Sequence, residues 1–208
     1  MSTFLQRFRS YSSKGFTLTE LMVVVTIMTL LTGIFLFQQR QFDSTTILRS
    51  LAYSVALSIR QAQTYGISVR GFEGVFAEAH GIHFSSGDLT HYYLFADIDN
   101  DRVFDSGTEI AETFGLVGNN FTISQFCATT NSGTERCYPG ELTSLSILFI
   151  RPNPDACFET SNSPTACVAG DAGEDYKEVE IQLAGPSGTT RSVTVTTTGQ
   201  ISVGAVGN

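Results

Sequence analysis

Residues Lys14–Phe37 of this 208-residue chain have the sequence KGFTLTELMVVVTIMTLLTGIFLF. An uncharged run of 19 residues, Leu21–Gln39, begins inside it. At about 1.5 Å per residue, a helix over that run spans about 28 Å, close to the hydrocarbon thickness of a bilayer. The sequence therefore predicts a membrane-spanning helix over residues 16–39, with one acid, Glu20, near its start.

The segment before this helix is basic and contains no acid, which predicts that it stays in the cytoplasm while the body lies across the membrane. Its basic residues are Arg7, Arg9 and Lys14. A secretory signal peptide is cut after its apolar run, whereas here the small residue, Gly15, precedes the run. Cleavage after Gly15 would remove residues 1–15 as a leader and create a new terminal amine on Phe16.

An acid inside a membrane helix is costly unless a cation meets it. Glu20 lies four residues after Phe16. We expect a subunit packed alongside to bring its Phe16 amine to Glu20 within the apolar layer. The N-terminal helix is therefore predicted to be an assembly element as well as an anchor.

The decapeptide Gly15–Val24, GFTLTELMVV, closely resembles the prepilin signature of type IV pilins and type II secretion pseudopilins. The resemblance implies cleavage after Gly15 and N-methylation of Phe16 by a prepilin peptidase/methyltransferase. It also implies that Glu20 neutralises the N-terminus of an adjoining subunit in a helical filament. The implied partners are other pilin or pseudopilin subunits and an assembly platform in the inner membrane. The implied location is the bacterial cytoplasmic membrane, followed by a periplasmic pseudopilus or an extracellular pilus.

Two features of the helix depart from the family pattern. Thr19 stands where an aliphatic residue is usual, although a helical threonine can bond its own i−4 carbonyl. The helix contains no proline after this position, where major pilins usually carry one, so Gly33 is the expected site of bending. The segment Ser58–Gln63, followed by Ile67–Val69, is similar to H-type pseudopilins and FimT-like minor pilins. These features favour a minor pilin or pseudopilin, a structural subunit and not an enzyme. A filament-tip binding or adhesion module is the alternative.

The rest of the chain predicts an α+β fold. Apolar residues at three- and four-residue intervals indicate an amphipathic helix over residues 40–66. They are Leu48, Leu51, Ala52, Val55, Ile59 and Ala62. Asp43–Thr46 is expected to begin a new helix or to bend the first one, and Gly66 to end it. Residues 67–208 are predicted to form a body in which this helix packs on an antiparallel sheet, as the pilin resemblance also implies.

Short β-rich runs between turns predict the strands of that sheet. The expected strands are Ile67–Arg70, Gly81–Ser85, His91–Ala96, Phe121–Phe126, Ser144–Ile150, Glu178–Leu183, Arg191–Thr197 and Gln200–Val203. The alternation over Ser192–Thr196 is typical of a strand with one wet face, and Thr198–Gln200 is expected to be a tight hairpin turn.

Four cysteines form two pairs of equal spacing: Cys127, Cys137, Cys157 and Cys167. None belongs to a CxxC motif and no histidine lies near them, which disfavours zinc. They allow three disulfide pairings, of which the local one, Cys127–Cys137 with Cys157–Cys167, closes two short loops. The residues that flank the cysteines are mostly Gly, Pro, Asn, Ser and Thr, which predicts surface loops closed by disulfides. The second of these loops lies within Pro152–Gly173. Disulfides indicate an oxidising compartment, and four free thiols are the alternative.

The stretch DIDNDRVFD carries acids at relative positions 1, 3, 5 and 9 and resembles the start of a calcium loop, in which position 7 donates a backbone carbonyl. The candidate ligands are Asp97, Asp99, Asp101, Val103 and Asp105. Two features oppose this interpretation. Position 6 is Arg102 instead of the glycine that the sharp turn needs, and Glu109 comes one residue after position 12. Hydrogen-bonded turns between strands are the alternative. Calcium is the one cofactor that the sequence suggests.

The charge of the chain and its motifs disfavour nucleic-acid binding, a histidine metal site and catalysis. The chain has 20 acids against 12 bases, and removal of the leader's three bases leaves a net charge of −11, which repels nucleic acid. FimT-like proteins that capture DNA use arginines near the C-terminus, where Gly199–Ser202 has Gln and Ser. His80 and His83 are predicted on opposite faces of one strand, which is wrong for a shared metal ion. No G-x-S-x-G elbow or other catalytic spacing occurs.

Overall fold

The computed structural model describes residues 15–68, 71–72, 74–77, 79–116, 120–163, 167, 176–186 and 188–205, with the backbone alone for residues 37–43, 75 and 205. Residues 1–14 of the predicted leader, residues 1–15, lie outside the described residues, as do the end of the strand expected at Ile67–Arg70 and part of Pro152–Gly173. The chain divides into two compact units, Met1–Phe42 and Asp43–Asn208, which are described separately.

The helix element, α1, spans Leu18–Ile67, and its backbone remains helical through Asp43–Thr46. In the first unit every described side chain of α1 is exposed. Threonine hydroxyls at Thr29 and Thr32 bond carbonyls four residues earlier, at 2.7 Å in both cases, so their polar groups are satisfied within the helix. Thr19 instead bonds the hydroxyl of Thr17, at 3.2 Å, and the expected i−4 bond at Thr19 is not the one that the structure shows.

Two five-stranded antiparallel sheets and one two-stranded sheet follow the helix. Sheet I has the order β12-β11-β10-β6-β7, sheet II has the order β5-β4-β3-β8-β9, and β1 pairs with β2. The strands are β1 Gly71–Phe72, β2 Val75–Phe76, β3 Ala79–Ser85, β4 Asp88–Ala96, β5 Ile110–Gly115, β6 Thr122–Thr130, β7 Glu135–Tyr138, β8 Ser144–Ile150, β9 Ala156–Thr160, β10 Tyr176–Ala184, β11 Thr190–Thr196 and β12 Ile201–Ala205.

The α+β class is confirmed, with two differences in detail. The helix occupies Ile67, where the sequence predicted the first strand. The two-residue strands β1 and β2 were not predicted. Strands β5, β7 and β9 were not predicted either, and with them the single expected sheet becomes two five-stranded sheets. These strands are short and carry several Gly, Ser, Thr or charged residues. Their alternation of apolar and polar residues is therefore weak, and the turn-forming residues around them hide it. The hairpin at Thr198–Gln200 is confirmed between β11 and β12.

The helix in the second unit lies against both five-stranded sheets through one apolar core. All six residues of the predicted stripe are at most 9% exposed, and they form a cluster with apolar residues from the two sheets. Examples from the sheets are Phe84 of β3, Phe149 of β8, Ile181 of β10 and Val193 of β11. The 3.6-residue period therefore identified the buried face of the helix correctly.

The last turn of the helix lies so close to the backbone of β8 that position 66 has no room for a side chain. A Cβ on Gly66 would lie 2.4 Å from the Phe149 carbonyl oxygen. Gln63 is a polar residue outside the predicted apolar stripe, yet it is buried, and its Nε2 donates to the carbonyls of Pro154 at 2.9 Å and Gly199 at 3.0 Å. This amide joins the helix to the β11–β12 turn, so a polar side chain is stable in the core because its donors are satisfied.

The cysteines are paired locally, as Cys127–Cys137 and Cys157–Cys167. Their expected position in loops is wrong for three of the four. Cys127 on β6 and Cys137 on β7 are direct partners in the ladder, because a tight turn makes this segment a hairpin. Cys157 lies on β9. Since β7 ends sheet I and β9 ends sheet II, each disulfide is attached to an edge strand.

Sheet II has a second buried face, away from the helix. Ala79, Phe95, Leu148 and Cys167 form a small cluster there, with Phe104 packed against it. Phe104 comes from the connection between β4 and β5, the connection that contains the acidic stretch. This connection therefore lies over the outer face of sheet II, beside the second disulfide.

Candidate functional sites

The first candidate site is the start of α1. Thr17 directly precedes the helix, and its hydroxyl accepts a hydrogen bond from the Glu20 backbone N–H, at 3.3 Å. Thr17 and Glu20 thus occupy the N-cap and N3 positions of a capping-box sequence. A carboxylate in the first turn also meets the positive end of the helix dipole. Glu20 is exposed in the single chain, so its charge is available to a group from outside.

Gly15 and Phe16 lie immediately before this cap. A Cβ on Gly15 would meet no atom within 4 Å, and Phe16 is 80% exposed. The fold of this chain therefore places no steric demand for glycine at position 15.

The helix that follows has the length and composition of a membrane span. Leu18–Leu36 covers 19 residues with a mean hydropathy of 2.0, and none of this window is buried within the chain. Its exposed side chains include Leu21, Val25, Ile34 and Phe35. An apolar surface of this size requires lipid or other helices around it.

The second candidate site is the connection Asp97–Glu109, which is organised by hydrogen bonds from its backbone to its own acids. Asp97 Oδ2 accepts from Arg102 N at 3.1 Å, and Asp101 Oδ1 accepts from Val103 N at 2.7 Å. Glu109 accepts from Ile98 N at 3.0 Å and from Asp105 N at 2.9 Å. The acids thus act as turn-forming acceptors, which was the alternative to a calcium loop for this stretch.

The two sequence features that opposed a calcium loop are accommodated by the structure. Arg102 has a φ of 66°, so it takes the left-handed conformation for which glycine was expected. Glu109, one residue late in the linear pattern, is buried at 1% exposure and reaches the start of the loop. Glu109, Asp97 and Asp99 each offer one carboxylate oxygen, and these three oxygens lie within 4.8 Å of one another.

The predicted ligand set is therefore only partly brought together. Asp97 and Asp99 join Glu109, whereas Asp101 and Asp105 lie outside this group and are exposed. Val103 contributes its N–H to the Asp101 turn. A second group of candidate ligands among the described residues, Cys127, Glu135 and Cys137, has both sulfurs in a disulfide and so lacks thiolates.

Burial raises the pKa of three acids in and near this loop. The pKa of Asp97 rises to about 6 and that of Glu109 to about 7, first because both are buried and then because neighbouring aspartates repel their charge. Backbone N–H donors oppose both shifts. Burial and the charges of Asp101 and Asp97 raise the pKa of Glu159 on β9 to about 9. No sequence pattern pointed to Glu159, because a single acid in a short strand belongs to no motif.

These pKa values predict that metal-free protein loses stability as pH rises from 6.5 to 9. Glu109 and Glu159 bind more protons folded than unfolded in this range, so the free energy of unfolding falls with rising pH. His83, whose pKa burial lowers from 6.5 to about 4, is neutral in the folded state; its unfolded form still loses protons between pH 6.5 and 7.5, so it opposes the trend by only about 0.4 kcal/mol. The two acid shifts correspond to about 4 kcal/mol over this range, which solvent screening reduces to about 2 kcal/mol, seen as a fall in Tm of roughly 4–8 °C in EDTA.

Glu159→Gln should flatten this pH dependence above pH 7, because it removes the group with the higher pKa. Thermal unfolding of the full chain in detergent at pH 6.5, 7.5 and 9 measures both effects. A Tm that rises with pH in EDTA, or a Glu159→Gln slope equal to the parent's, would contradict the prediction.

The outer face of sheet II also bears an open groove of about 890 Å³. His83, Tyr93 and Phe104 form its aromatic floor, and His83 stacks on Phe104 with ring centroids 4.0 Å apart. His80 lies on the other face of the same strand, against Tyr65 of the helix at 5.9 Å, so the prediction of opposed faces is confirmed. The lining contains Asp88 and Asp105 but no lysine or arginine among the residues that the structure describes.

Comparison with known proteins identifies one segment. Residues 11–36 match a family described as the prokaryotic N-terminal methylation motif. The match covers Gly15, Phe16, Glu20 and the whole apolar helix as far as Leu36. No curated protein and no solved structure matches the chain.

Proposed function

We propose that this chain, which carries the N-terminal methylation signature of type IV pilins and type II secretion pseudopilins, is a structural subunit of such a filament. The single observation that carries the proposal is the match over residues 11–36 to the methylation motif. The geometry supports it: Gly15, which has open space around it, is followed by a capped helix whose apolar surface is not covered by the part of the chain that the structure describes. A prepilin peptidase and other pilin subunits are the partners that the motif implies.

The proposed pathway has three steps. The unprocessed chain is anchored in the cytoplasmic membrane by α1, with the sheets outside the cytoplasm. Cleavage after Gly15 and methylation of the Phe16 amine produce the mature N-terminus. The helix then leaves the lipid for a bundle of like helices, in which the same apolar side chains pack on neighbouring subunits.

Processing is tested by intact-mass analysis of the chain purified from cells that express a prepilin peptidase. We expect a protein that begins at Phe16 and carries the added mass of one methyl group. Gly15→Val is expected to retain residues 1–15 with an unchanged fold, because a Cβ at position 15 meets no neighbouring atom. An N-terminus beyond residue 37, or normal processing of Gly15→Val, would contradict the proposal.

We further propose a minor position in the filament. The helix contains no proline, unlike that of most major pilins. In the body, the connection between β4 and β5 covers the outer face of sheet II, and a face with such an added loop suits the filament surface or tip. Quantification of the chain in purified filaments tests this proposal. A stoichiometry well below that of a second, abundant subunit is expected, and a filament built mainly of this chain would contradict it.

A second function, ligand binding at the filament surface or tip, is favoured by the groove on sheet II. Its aromatic floor and hydroxyl-rich walls, which include Ser85, Ser106 and Thr143, suit an uncharged polar ligand better than an anion. Loss of ligand binding without loss of filaments, after substitution of Tyr93, would distinguish this function from a purely structural one.

A further inference from the structure

Three carboxylates converge at the base of the connection between β4 and β5. Asp97, Asp99 and Glu109 place oxygens within 4.8 Å of one another. At an effective dielectric constant of about 20, each close pair of like charges repels by several kcal/mol. Such a group is unfavourable in its ionised form unless a cation or water lies between the oxygens.

A second observation points to a ligand. The Asp97 side chain is 0% exposed, and its Oδ1 has no hydrogen-bond partner among the described residues. Its other oxygen, Oδ2, already accepts the N–H of Arg102. A buried carboxylate oxygen without a partner is expensive, and native proteins rarely retain one unless it binds water or an ion. Oδ1 belongs to the residue that starts the loop and shares the group with Asp99 and Glu109.

The loop also holds its ligands at a fixed spacing. The Glu109 carboxylate accepts hydrogen bonds from two backbone N–H groups in separate parts of the loop, those of Ile98 and Asp105. Asp99 Oδ1 accepts from Asp101 N at 3.3 Å, and the side chain remains exposed, so one side of the group is open to solvent. An ion could therefore reach the group from the Asp99 side, while Asp97 and Glu109 form its buried side.

We infer that Asp97, Asp99 and Glu109 bind a calcium ion. The three ligand groups are hard oxygen donors, which excludes a preference for soft metals. Calcium accepts six to eight oxygens in irregular geometry, whereas magnesium demands a near-octahedral shell and keeps its waters. The ligand set is not that of the linear pattern: Glu109 replaces Asp101 and Asp105 as the third acid. The inference does not depend on assembly into a filament.

The ion would fix the connection on the outer face of sheet II. Phe104, in the middle of the connection, packs on His83 and Phe95, and Arg102 Nη1 donates to the Cys167 carbonyl at 2.7 Å. Phe104, Asp105 and Ser106 form one wall of the groove described above. Calcium bound between the two ends of the connection would therefore hold that wall in place.

The experiment is thermal unfolding of the full chain in detergent at pH 7.5, after treatment with EDTA and with calcium or magnesium chloride added back at about 5 mM. Extracellular calcium modules bind at about 0.1–1 mM, so calcium should raise Tm by about 3–6 °C. Asp97→Asn and Glu109→Gln should abolish this rise. Asp155→Asn, which changes an exposed acid outside the group, should retain it.

The folding of the variants is controlled by the same data. Asp97→Asn removes a buried charge, so its Tm in EDTA should equal or exceed that of the parent chain, while its calcium response is lost. Terbium luminescence, titrated on the same four proteins, gives an independent measure of binding. The inference is overturned if calcium leaves the parent Tm unchanged, if Asp97→Asn and Glu109→Gln keep the full response, or if magnesium is equally effective.

Discussion

Glu20→Gln is expected to insert into the membrane as the parent chain does and to enter filaments at least tenfold less often. Insertion should be retained because the amide is less costly in lipid than a carboxylate. Assembly should be weakened because, in the pairing predicted between Glu20 and an adjoining subunit's N-terminus, the Phe16 ammonium would then be buried without an anion. Loss of one partner from a buried charge pair costs about 2–5 kcal/mol, which is tenfold or more in an equilibrium constant.

Glutamine is the informative substitution because it keeps the start of the helix intact. It can occupy the N3 position of a capping box, so Thr17 still accepts the backbone N–H of residue 20. Glu20→Asp, which keeps the charge on a shorter side chain, should recover part of the incorporation. Counting the chain in purified filaments, against membrane fractions, measures both variants. Incorporation of Glu20→Gln at the parent level would show that the charge is not needed for assembly.

Gly199→Ala is expected to lower the Tm of the full chain by roughly 6–12 °C. Gly199 has a φ of 75°, and a Cβ there would lie 2.2 Å from the Pro154 carbonyl oxygen and 2.5 Å from Gln63 Nε2. The backbone must shift, and both hydrogen bonds of the buried Gln63 amide lengthen. Overpacking and the left-handed conformation together cost about 3 kcal/mol.

Gly188→Ala is the matched control, since Gly188 has the same φ of 75° but a Cβ on it meets nothing within 4 Å. It should cost only the conformational part, about 1 kcal/mol or roughly 2–4 °C in Tm. The difference between the two variants isolates the close approach at the helix end. Equal shifts would mean that the contact with Pro154 and Gln63 contributes little.

The elements with strong periodicity were predictable from sequence. The stripe from Leu48 to Ala62 is buried because six apolar residues repeat at the helical period, and β11 forms because Ser192–Thr196 alternates. The methylation segment was predictable because its motif depends on local order alone. These are cases in which the nearest neighbours along the chain determine the structure.

Other features depend on distant partners and were missed for that reason. Gln63 is polar, and only the carbonyls of Pro154 and Gly199 make its burial favourable. Glu109 was set aside because the linear calcium-loop pattern places the last ligand one residue earlier, whereas the structure brings it to Asp97 by bending the connection over sheet II. Strand β9 is defined by its pairing with β8, which no local pattern reveals.

The two disulfides have a mechanical consequence. A sheet under tension unzips from its outermost strand, where one ladder bond after another bears the load. In sheet I the disulfide Cys127–Cys137 links the terminal strand β7 to its neighbour β6, whereas Cys157–Cys167 links β9 of sheet II to a residue outside that sheet. We expect a pulled subunit to resist peeling at β7 and to yield first at β5, β9 or β12, the edge strands without a covalent link to their ladder neighbour in the part of the chain that the structure describes.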